Sequence, residues 1–362
     1  MISARSDTTA VLLLNLGGPD DLESVEPFLV KLFSDREIIE LPGGAALQPA
    51  IARLVAKLRG PSVRRNYALI GGGSPQLPIT RRQAAALEER LNAGAPGRPF
   101  QVFIAMRYSR PSSEDALVAI AAAGIRRIVT LTLFPHYSKA TTGSSVRELE
   151  RVLAMPRWRG LAFDVTHIDQ YPADPLYLDA MSRTVLEAWS RIPAPRRNRT
   201  VLLFSAHGLP QKFIDRGDPY ADQIEMTRRG ILERVRLPNR HLLAYQSRTG
   251  PVKWLGPGTE EVLRELGRDG VQDVLVIPLS FVSDHIETLY EVDLLFARVA
   301  LLAGITGYYR TPALNDSPLF ITALAGLVRR HLAESAGQTC GCCQHAGTQA
   351  CSRDRGEPVA FP

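Results

Sequence analysis

The sequence predicts an α/β protein made of two similar domains that face each other across a cleft. Short β-rich apolar runs alternate with helix-like stretches, which is typical of βαβ units on a parallel sheet. The two halves also resemble each other: "VLLLNLGGP" at 11 matches "VLLFSAHGLP" at 201, and "IRRIVTLTLFPHYS" at 125 parallels "VQDVLVIPLSFVSD" at 271. Open α/β sheets bind ligands beyond the carboxyl ends of their strands, so we expect the functional site there.

The predicted elements follow the same order in each half, namely strand, polar loop and helix. The strands are the short apolar runs, and the helices are the longer stretches between them. In the first half, strands are predicted at 10–15, 100–106, 126–134 and 161–167, and helices at 79–93, 112–123 and 144–154. In the second half, strands are predicted at 200–205, 241–246 and 271–279, and helices at 174–191, 219–235, 258–268, 284–302 and 316–333.

Repeat and composition divide the chain into a first domain over 8–170, a second over 171–335 and a terminal extension over 336–362. In the extension the composition changes to Cys, Gly, Gln and other polar residues. The apolar and basic segment 43–67 within the first domain has two interpretations: an ordinary surface helix, or a lip over a pocket that also touches a membrane.

Composition and charge exclude several classes of protein. With 362 residues, 45% of them hydrophobic, the chain is long enough to bury a large core. The net charge of +6 favours an anionic ligand, membrane surface or nucleic acid, but no nucleic-acid-binding signature accompanies it, so no such partner is expected. No apolar run is long enough to span a bilayer. Only about ten residues precede the first strand, too few for a signal peptide, which predicts a cytoplasmic location.

The segment "PLSFVSDHIETLYEVD" places a histidine and four carboxylates directly after a predicted strand. Asp284 and Glu287 have the spacing of a helix capping box, which would explain two of the carboxylates structurally. On a helix, however, Asp284, Glu287 and Glu291 share one face, with His285 at its margin. Crowded carboxylates raise one another's pKa, which suits proton transfer or a divalent cation. Both interpretations remain open from spacing alone.

His207 follows another predicted strand in "LLFSAHGLP". A lone histidine is more often structural, but its place at a strand end, in the half that also carries 284–291, favours the cleft. Two other glycine-containing motifs are weak. "LNLGGPD" lacks the dinucleotide-binding pattern, and "GGGSP" at 71–75 is not followed by the Lys of a phosphate-binding loop.

Six motifs together resemble the ferrochelatases, which insert ferrous iron into a porphyrin. The resemblance covers roughly residues 8–333 and implies two Rossmann-like domains around a porphyrin cleft, the chelatase-like fold. It also implies protoporphyrin IX and ferrous iron as substrates in the last step of haem synthesis. The motifs are "LLLNLGGPD", "YALIGGGSP", "FPHYSKATTGSS", "LLFSAHGLP", "YQSRTGPVKWLGP" and "PLSFVSDHIETLYEVD".

The resemblance also assigns expected roles to individual residues. His207 and Glu287 match the family's essential histidine and carboxylate, with His285 and Glu291 beside them, and His207 and Glu287 are the expected contacts of the substrate iron. The residues expected to bind the porphyrin are Arg59, Tyr67, Ser74, Arg107, Tyr108, Trp254 and Phe281. An apolar, dianionic macrocycle needs an apolar slot with a cationic rim, which would explain why the lip segment is both apolar and basic.

Two alternatives to protoporphyrin ferrochelatase stay open. One is a related chelatase for another metal or tetrapyrrole, such as cobalt with sirohydrochlorin or iron with coproporphyrin. The apolar lip at 43–60 favours the protoporphyrin type, because a more carboxylated ring would need cations there. The other is a non-catalytic tetrapyrrole or metal carrier of the same shape, which would bind porphyrin without accelerating metal insertion.

All four cysteines lie in the terminal extension, at 340, 342, 343 and 351. Four thiolates hold either a two-iron two-sulfur (2Fe-2S) cluster or tetrahedral zinc. Many ferrochelatases carry such a cluster, and in the animal type one ligand comes from the position that Lys139 occupies here. The resemblance therefore implies that Cys340, Cys342, Cys343 and Cys351 would be the complete ligand set, as in some bacterial members.

Overall fold

The computed structural model describes residues 8–93, 99–248, 250 and 252–335. The predicted α/β class is confirmed. The described residues form two four-stranded parallel sheets, one in each half of the chain. The extension at 336–362, with its four cysteines, lies outside the described residues.

The first sheet has the order β2-β1-β3-β4. Its strands are β1 (Thr9–Asn15), β2 (Phe100–Met106), β3 (Arg127–Thr132) and β4 (Asp164–Ile168). All seven residues of β1 are buried, as expected for a central parallel strand covered on both faces. The helices of this half are α1 (Val25–Ser34), α2 (Gly44–Leu69), α3 (Gln76–Asn92), α4 (Ser113–Ala122) and α5 (Ser144–Leu153); a π-helical turn, Lys139–Gly143, leads into α5, and a 3₁₀ turn, Pro156–Trp158, follows it.

The second sheet has the equivalent order β6-β5-β7-β8. Its strands are β5 (Val201–His207), β6 (His241–Gln246), β7 (Asp273–Pro278) and β8 (Gly307–Arg310). Its helices are α6 (Pro175–Arg191), α7 (Ala194–Arg197), α8 (Gln211–Asp215), α9 (Tyr220–Val235), α10 (Thr259–Arg268), a π-helix (Glu287–Phe296) that runs into α11 (Ala297–Leu302), and α12 (Pro318–Ser335). The order of the strands confirms the internal repeat that the sequence indicated.

A central apolar cluster joins the inner faces of both sheets and includes Leu13 and Leu131 from the first half and Phe204 and Ile277 from the second. Each sheet also has a separate cluster on its other face. Because the central cluster is shared, the boundary predicted at 170/171 separates two sheets but not two independent cores. That boundary stays a prediction.

Several elements differ from the sequence predictions. Helices α1, α7 and α8 and strand β8 were not predicted, and the helix expected over 284–302 is π-helical from Glu287 to Phe296. The lip segment is one long helix, α2, and its buried side packs on α1. Ala52, Ala56 and Tyr67 from α2 share an apolar cluster with Phe28 of α1 and with Ile286 beside the π-helix. The lip therefore contacts the segment around Glu287 in the opposite half.

Candidate active site

His207 and Glu287 form a hydrogen-bonded pair at the carboxyl end of the second sheet. His207 ends β5 and Glu287 begins the π-helix, and His207 Nδ1 lies 2.9 Å from Glu287 Oε2. The His207 side chain is 31% exposed and that of Glu287 is 15% exposed, so the imidazole still reaches open space. Sequence reasoning expected these two residues in one site, and the fold brings them into contact.

The pair determines the protonation preferences of both groups. Burial alone would lower the pKa of His207, but the Glu287 carboxylate outweighs it and raises that pKa above its ordinary value. Burial alone would raise the pKa of Glu287, and the neighbouring His207 reverses this, so that its pKa is lowered. An ionised carboxylate only accepts hydrogen bonds, so Nδ1 of His207 carries a proton and Nε2 keeps its lone pair when the ring is neutral.

Gln246, at the end of β6, was not predicted from the sequence. It pairs with His207 in the sheet register and is almost fully buried. Its Nε2 donates to Glu287 Oε2 at 3.0 Å, while its Oε1 accepts from Ser205 Oγ at 2.8 Å. Glu287 Oε2 is thus engaged twice, and Oε1 is the oxygen left for other contacts. Gln246 lies in the motif "YQSRTGPVKWLGP", but the motif does not indicate this role, which depends on a hydrogen bond to Glu287, 41 residues further along the chain.

Glu291 lies next along the π-helix and is held by Ser247. The Ser247 hydroxyl donates to Glu291 Oε2 at 2.6 Å, and Ser247 has a φ of +61°, a left-handed conformation that is uncommon for serine. Burial first, and then the charge of Glu287, raises the pKa of Glu291 to about 7. Neighbouring acidic residues on one helix therefore have pKa values shifted in opposite directions.

His285 is buried beside this pair. Its Nδ1 donates to the Ser283 carbonyl at 3.0 Å, and its Nε2 lies 4.0 Å from Glu287 Oε1 without a hydrogen-bond partner among the described residues. Burial lowers the pKa of His285, which favours the neutral ring. The Phe281 ring lies 4.1 Å from the His285 ring and 5.8 Å from the His207 ring, centroid to centroid. Phe281 is therefore an apolar side chain at the centre of the site, as expected.

The predicted capping box is wrong. Asp284 accepts from Arg310 Nη1 at 3.1 Å and from Asn315 Nδ2 at 2.9 Å, while the Glu287 carboxylate is bound to His207 and Gln246. Arg310 belongs to β8, the unpredicted strand, and it also pairs with Asp293. Asp284 therefore does not join Glu287 and Glu291 in one row of free carboxylates.

In the first half, Arg107 and Tyr108 are held by the buried carboxylate of Asp35. Asp35 Oδ2 accepts from Arg107 Nη2 at 2.7 Å, from Tyr108 Oη at 2.6 Å and from Ser144 Oγ at 2.5 Å. Arg107 Nε also donates to Ser144 at 2.7 Å. Tyr108 is 2% exposed, so its hydrogen bond to Asp35 lies in the core. Asp35 was missed because its partners lie 72 to 109 residues away.

The remaining predicted porphyrin contacts fall into two groups. Tyr67 is buried, and the Glu287 charge, after burial, contributes to raising its pKa; both it and Ser74 lie against Gly18, where a Cβ would come within 2.5 Å of Ser74. Trp254 lies against Gly208, the residue after His207. Arg59 is different, since its exposed guanidinium lies on α2, 5.8 Å from the centre of the Phe33 ring.

Two structural searches concern metals and membranes. Across the described ranges, no three His, Cys, Asp or Glu side chains converge closely enough to hold a metal ion. Among the helices of the same residues, none combines the length and apolar character that crossing a lipid bilayer requires.

Comparison with known proteins agrees with the site. The family model described as Ferrochelatase matches residues 8–332. The chain is 51% identical to the ferrochelatase of Geotalea uraniireducens over 324 residues, which is 90% of this chain and 98% of that protein. It is 48% identical to the ferrochelatase of Rippkaea orientalis over 330 residues, covering 91% and 84% of the two chains.

Among solved structures, SirB from Bacillus subtilis with Fe3+ has a TM-score of 0.53 at 14% identity, covering 91% of this chain and 98% of that chain. This similarity supports the fold alone, which is that of the chelatases. The relatives and the family model go further, because they match nearly the whole chain. This chain belongs to the ferrochelatase family.

Proposed function

We propose that this protein inserts ferrous iron into protoporphyrin IX and so forms protohaem. The observation that carries the proposal is the His207–Glu287 hydrogen bond, which leaves the Nε2 lone pair of His207 without a bond to the protein among the described residues. Insertion requires a porphyrin to lose two pyrrole protons. A basic imidazole whose other nitrogen is bound to a carboxylate is suited to accept them.

Glu287 and Glu291 extend the proton path away from His207. Glu287 stays ionised beside His207, and Glu291, whose pKa is about 7, can take or release a proton near neutral pH. Ferrous iron enters this account as a substrate. His207 and Glu287 are the groups best placed to contact it, with Glu287 Oε1 free of the hydrogen bonds that occupy Oε2.

The surroundings of the pair suit a flat apolar ring. Phe281 lies between the two histidines, and Trp254 lies against the residue that follows His207. Tyr67, Ser74 and Arg107 belong to the first half, so a ring in the cleft would contact both halves. A cleft that bends the ring would expose its nitrogens to His207 and to the metal.

The test is anaerobic incubation of the purified protein with ferrous iron and either protoporphyrin IX or coproporphyrin, followed by the haem absorption spectrum. We expect faster insertion into protoporphyrin, and His207→Ala should abolish insertion while porphyrin binding, measured by fluorescence quenching, is largely retained. Faster turnover of coproporphyrin would assign the protein to the alternative substrate. Binding without turnover by the unmodified protein would identify a carrier.

We also propose that the lip touches an anionic membrane surface while the protein resides in the cytoplasm. Leu54 and Leu58 of α2 are 58% and 72% exposed, and Arg53 and Lys57 line a shallow groove beside Leu54. Exposed leucines flanked by cations are typical of interfacial helices. Sedimentation with phosphatidylglycerol vesicles should fall in Leu58→Glu but not in Leu319→Glu, which changes a leucine on α12 that is 50% exposed. Equal losses in both variants would contradict a specific role of the lip.

A third proposal is that the four C-terminal cysteines bind a 2Fe-2S cluster. The support is their density: the chain has no cysteine before residue 340 and four within 340–351. Soft thiolates select iron–sulfur clusters or zinc over hard cations. When bound, such a cluster would supply a redox-sensitive group.

A further inference from the structure

The main chain of His207 reaches beyond its neighbouring strand on one side. The pairing of β5 with β7 ends at Ser205 and Pro278, two residues before His207. On this side the main-chain N–H and C=O of His207 would lack partners, and burying such groups unpaired destabilises the fold. Two side chains take the place of the missing strand.

Tyr220 and Ser280 close a ring of hydrogen bonds with His207. The His207 N–H donates to Ser280 Oγ at 2.7 Å, and Tyr220 Oη donates to the His207 carbonyl at 2.9 Å. The two hydroxyls are 2.7 Å apart. Because the Tyr220 proton is directed at the carbonyl, the Ser280 proton must be directed at Tyr220. All three donors and all three acceptors are thus used in one closed, buried cycle.

The position of Tyr220 is set in turn by the first half of the molecule. The Tyr220 ring packs edge-to-face on His136, with centroids 6.1 Å apart. The main-chain N–H of Tyr220 donates to Asp218 Oδ1 at 3.1 Å, and Asp218 Oδ2 accepts from Ser138 Oγ at 2.9 Å. The cycle of hydrogen bonds around His207 is therefore connected to the loop that follows β3 in the opposite sheet.

We propose that Tyr220 and Ser280 are positioning residues for metal insertion, which fix the main chain of His207 so that its imidazole faces the porphyrin. This inference rests on the proposed function. Closed cycles of hydrogen bonds strengthen one another and lose that support when any member is removed. Both hydroxyls bind the main chain of His207 and neither binds its imidazole nitrogens. Removing a hydroxyl should therefore slow the reaction and leave porphyrin binding nearly unchanged.

The experiment compares Tyr220→Phe, Ser280→Ala and the double variant in steady-state iron insertion. We expect kcat to fall by about 10- to 100-fold in each single variant, the range for a small misplacement of a catalytic group, with the KM for porphyrin nearly unchanged. The double variant should be no slower than the slower single variant, since either change opens the same cycle. If one single variant does not fold, the other still tests the cycle.

The chain offers matched controls. Tyr177 Oη and Ser182 Oγ are buried hydroxyls with no hydrogen-bond partner among the described residues, and both lie on α6. Tyr177→Phe and Ser182→Ala should keep the parental kcat and KM. Three outcomes would overturn the inference: parental kcat in Tyr220→Phe and Ser280→Ala, a rise in KM alone, or additive losses in the double variant. An unmodified protein that inserts no iron would instead refute the proposed function.

Discussion

Three side chains set the acid strengths of the two carboxylates on the π-helix. His207 and Gln246 both donate to Glu287, which favours its ionised form, whereas Glu291 is buried next to the Glu287 charge and receives one hydrogen bond, from Ser247. A site that must accept protons and release them elsewhere needs groups with different affinities for a proton. The left-handed φ of Ser247 is the backbone cost of placing its hydroxyl on Glu291.

Glu287→Gln should give a folded but inactive protein. The amide can still accept from Gln246, but it has no charge to stabilise a protonated His207, so kcat should fall by about 100-fold or more. Iron insertion and thermal unfolding would be measured together. Glu265→Gln, which changes an exposed carboxylate on α10, is the control and should retain full activity. Full activity in Glu287→Gln would leave this carboxylate without a catalytic role.

Glu291→Gln should stabilise the metal-free protein at alkaline pH. The pKa of Glu291 is raised from an ordinary 4.5 to about 7, so the folded state holds this proton more tightly than the unfolded state. Ionisation of Glu291 therefore lowers the free energy of unfolding. This loss is absent below pH 4.5, grows as the pH rises, and is complete above pH 7. The variant should gain about 2–3 kcal/mol in the free energy of unfolding at pH 8 and almost nothing near pH 4.5.

Chemical denaturation at these two pH values measures the difference for Glu291→Gln. Glu265→Gln again serves as the control and should show no pH-dependent change. A gain of equal size at both pH values would mean that the charge of Glu291 is not what costs stability.

The sequence predicted the site residues His207 and Glu287, which lie in local motifs, but it did not predict the residues that contact them. His207 and Glu287 lie in recognisable motifs at strand ends, and the structure brings them together as expected. Gln246, Tyr220 and Ser280 contact them from 13 to 73 residues away along the chain; Gln246 and Ser280 lie in two of the six motifs, but neither motif indicates these contacts. Asp284 was misassigned for the same reason, because its partner Arg310 lies 26 residues further along the chain.

At the scale of elements, the predicted strands were found because central parallel strands are continuous apolar runs. Strand β8, with the sequence "GYYR", is short and only partly buried, so its pattern carries little signal. The π-helix Glu287–Phe296 contains the same residue types as an α-helix, so the sequence pattern does not distinguish the two. Such segments often occur at functional sites, as this one does.

Asp35 connects three elements, since it follows α1 and binds the end of β2 and the start of α5. Burial alone would raise its pKa, but the hydrogen bonds from Ser144 and Tyr108 and the charge of Arg107 lower it. Asp35→Asn should reduce the free energy of unfolding by about 2–4 kcal/mol, because Arg107 loses its partner at a largely buried site. The KM for porphyrin should rise as well, since Arg107 would no longer be held at the wall of the cleft.

Asp174→Asn separates the two effects of Asp35→Asn. Asp174 is also a buried aspartate paired with an arginine, Arg330, but its side chain caps α6 and is bonded to none of the predicted site residues. The Asp174→Asn variant should have a lower free energy of unfolding and an unchanged KM for porphyrin. The role of Asp35 in holding the cleft would be contradicted if both variants lost stability and neither changed KM.

At the scale of the whole molecule, the internal repeat correctly predicted two sheets of the same order. The repeat did not predict the contacts between the two halves. Gln83 of α3 is fully buried and donates to Ser283 Oγ at 3.0 Å and to the Asn315 carbonyl at 2.8 Å, both in the other half. These contacts span 200 and 232 residues of sequence, so they follow only from the assembled fold.

The extension beyond α12 gives the last prediction. The four cysteines follow Ser335, the last residue of α12, and the segment where the animal type supplies a ligand carries Lys139, whose Nζ lies 3.4 Å from Glu37 Oε2. If a 2Fe-2S cluster is bound, its ligands must therefore all be local. Protein purified without air should contain iron and acid-labile sulfide and show visible absorption, and truncation after Ser335 should remove all three.

The truncated protein should keep its thermal unfolding transition, because the clusters that form the core end at Val328. Lys139→Ala should keep the iron, the sulfide and the absorption, since an amine is not a cluster ligand. The adjacent pair Cys342 and Cys343 strains one tetrahedral metal more than two irons, each of which can take one of the neighbours. Stoichiometric zinc without labile sulfide in the full chain would replace the cluster with a structural zinc site.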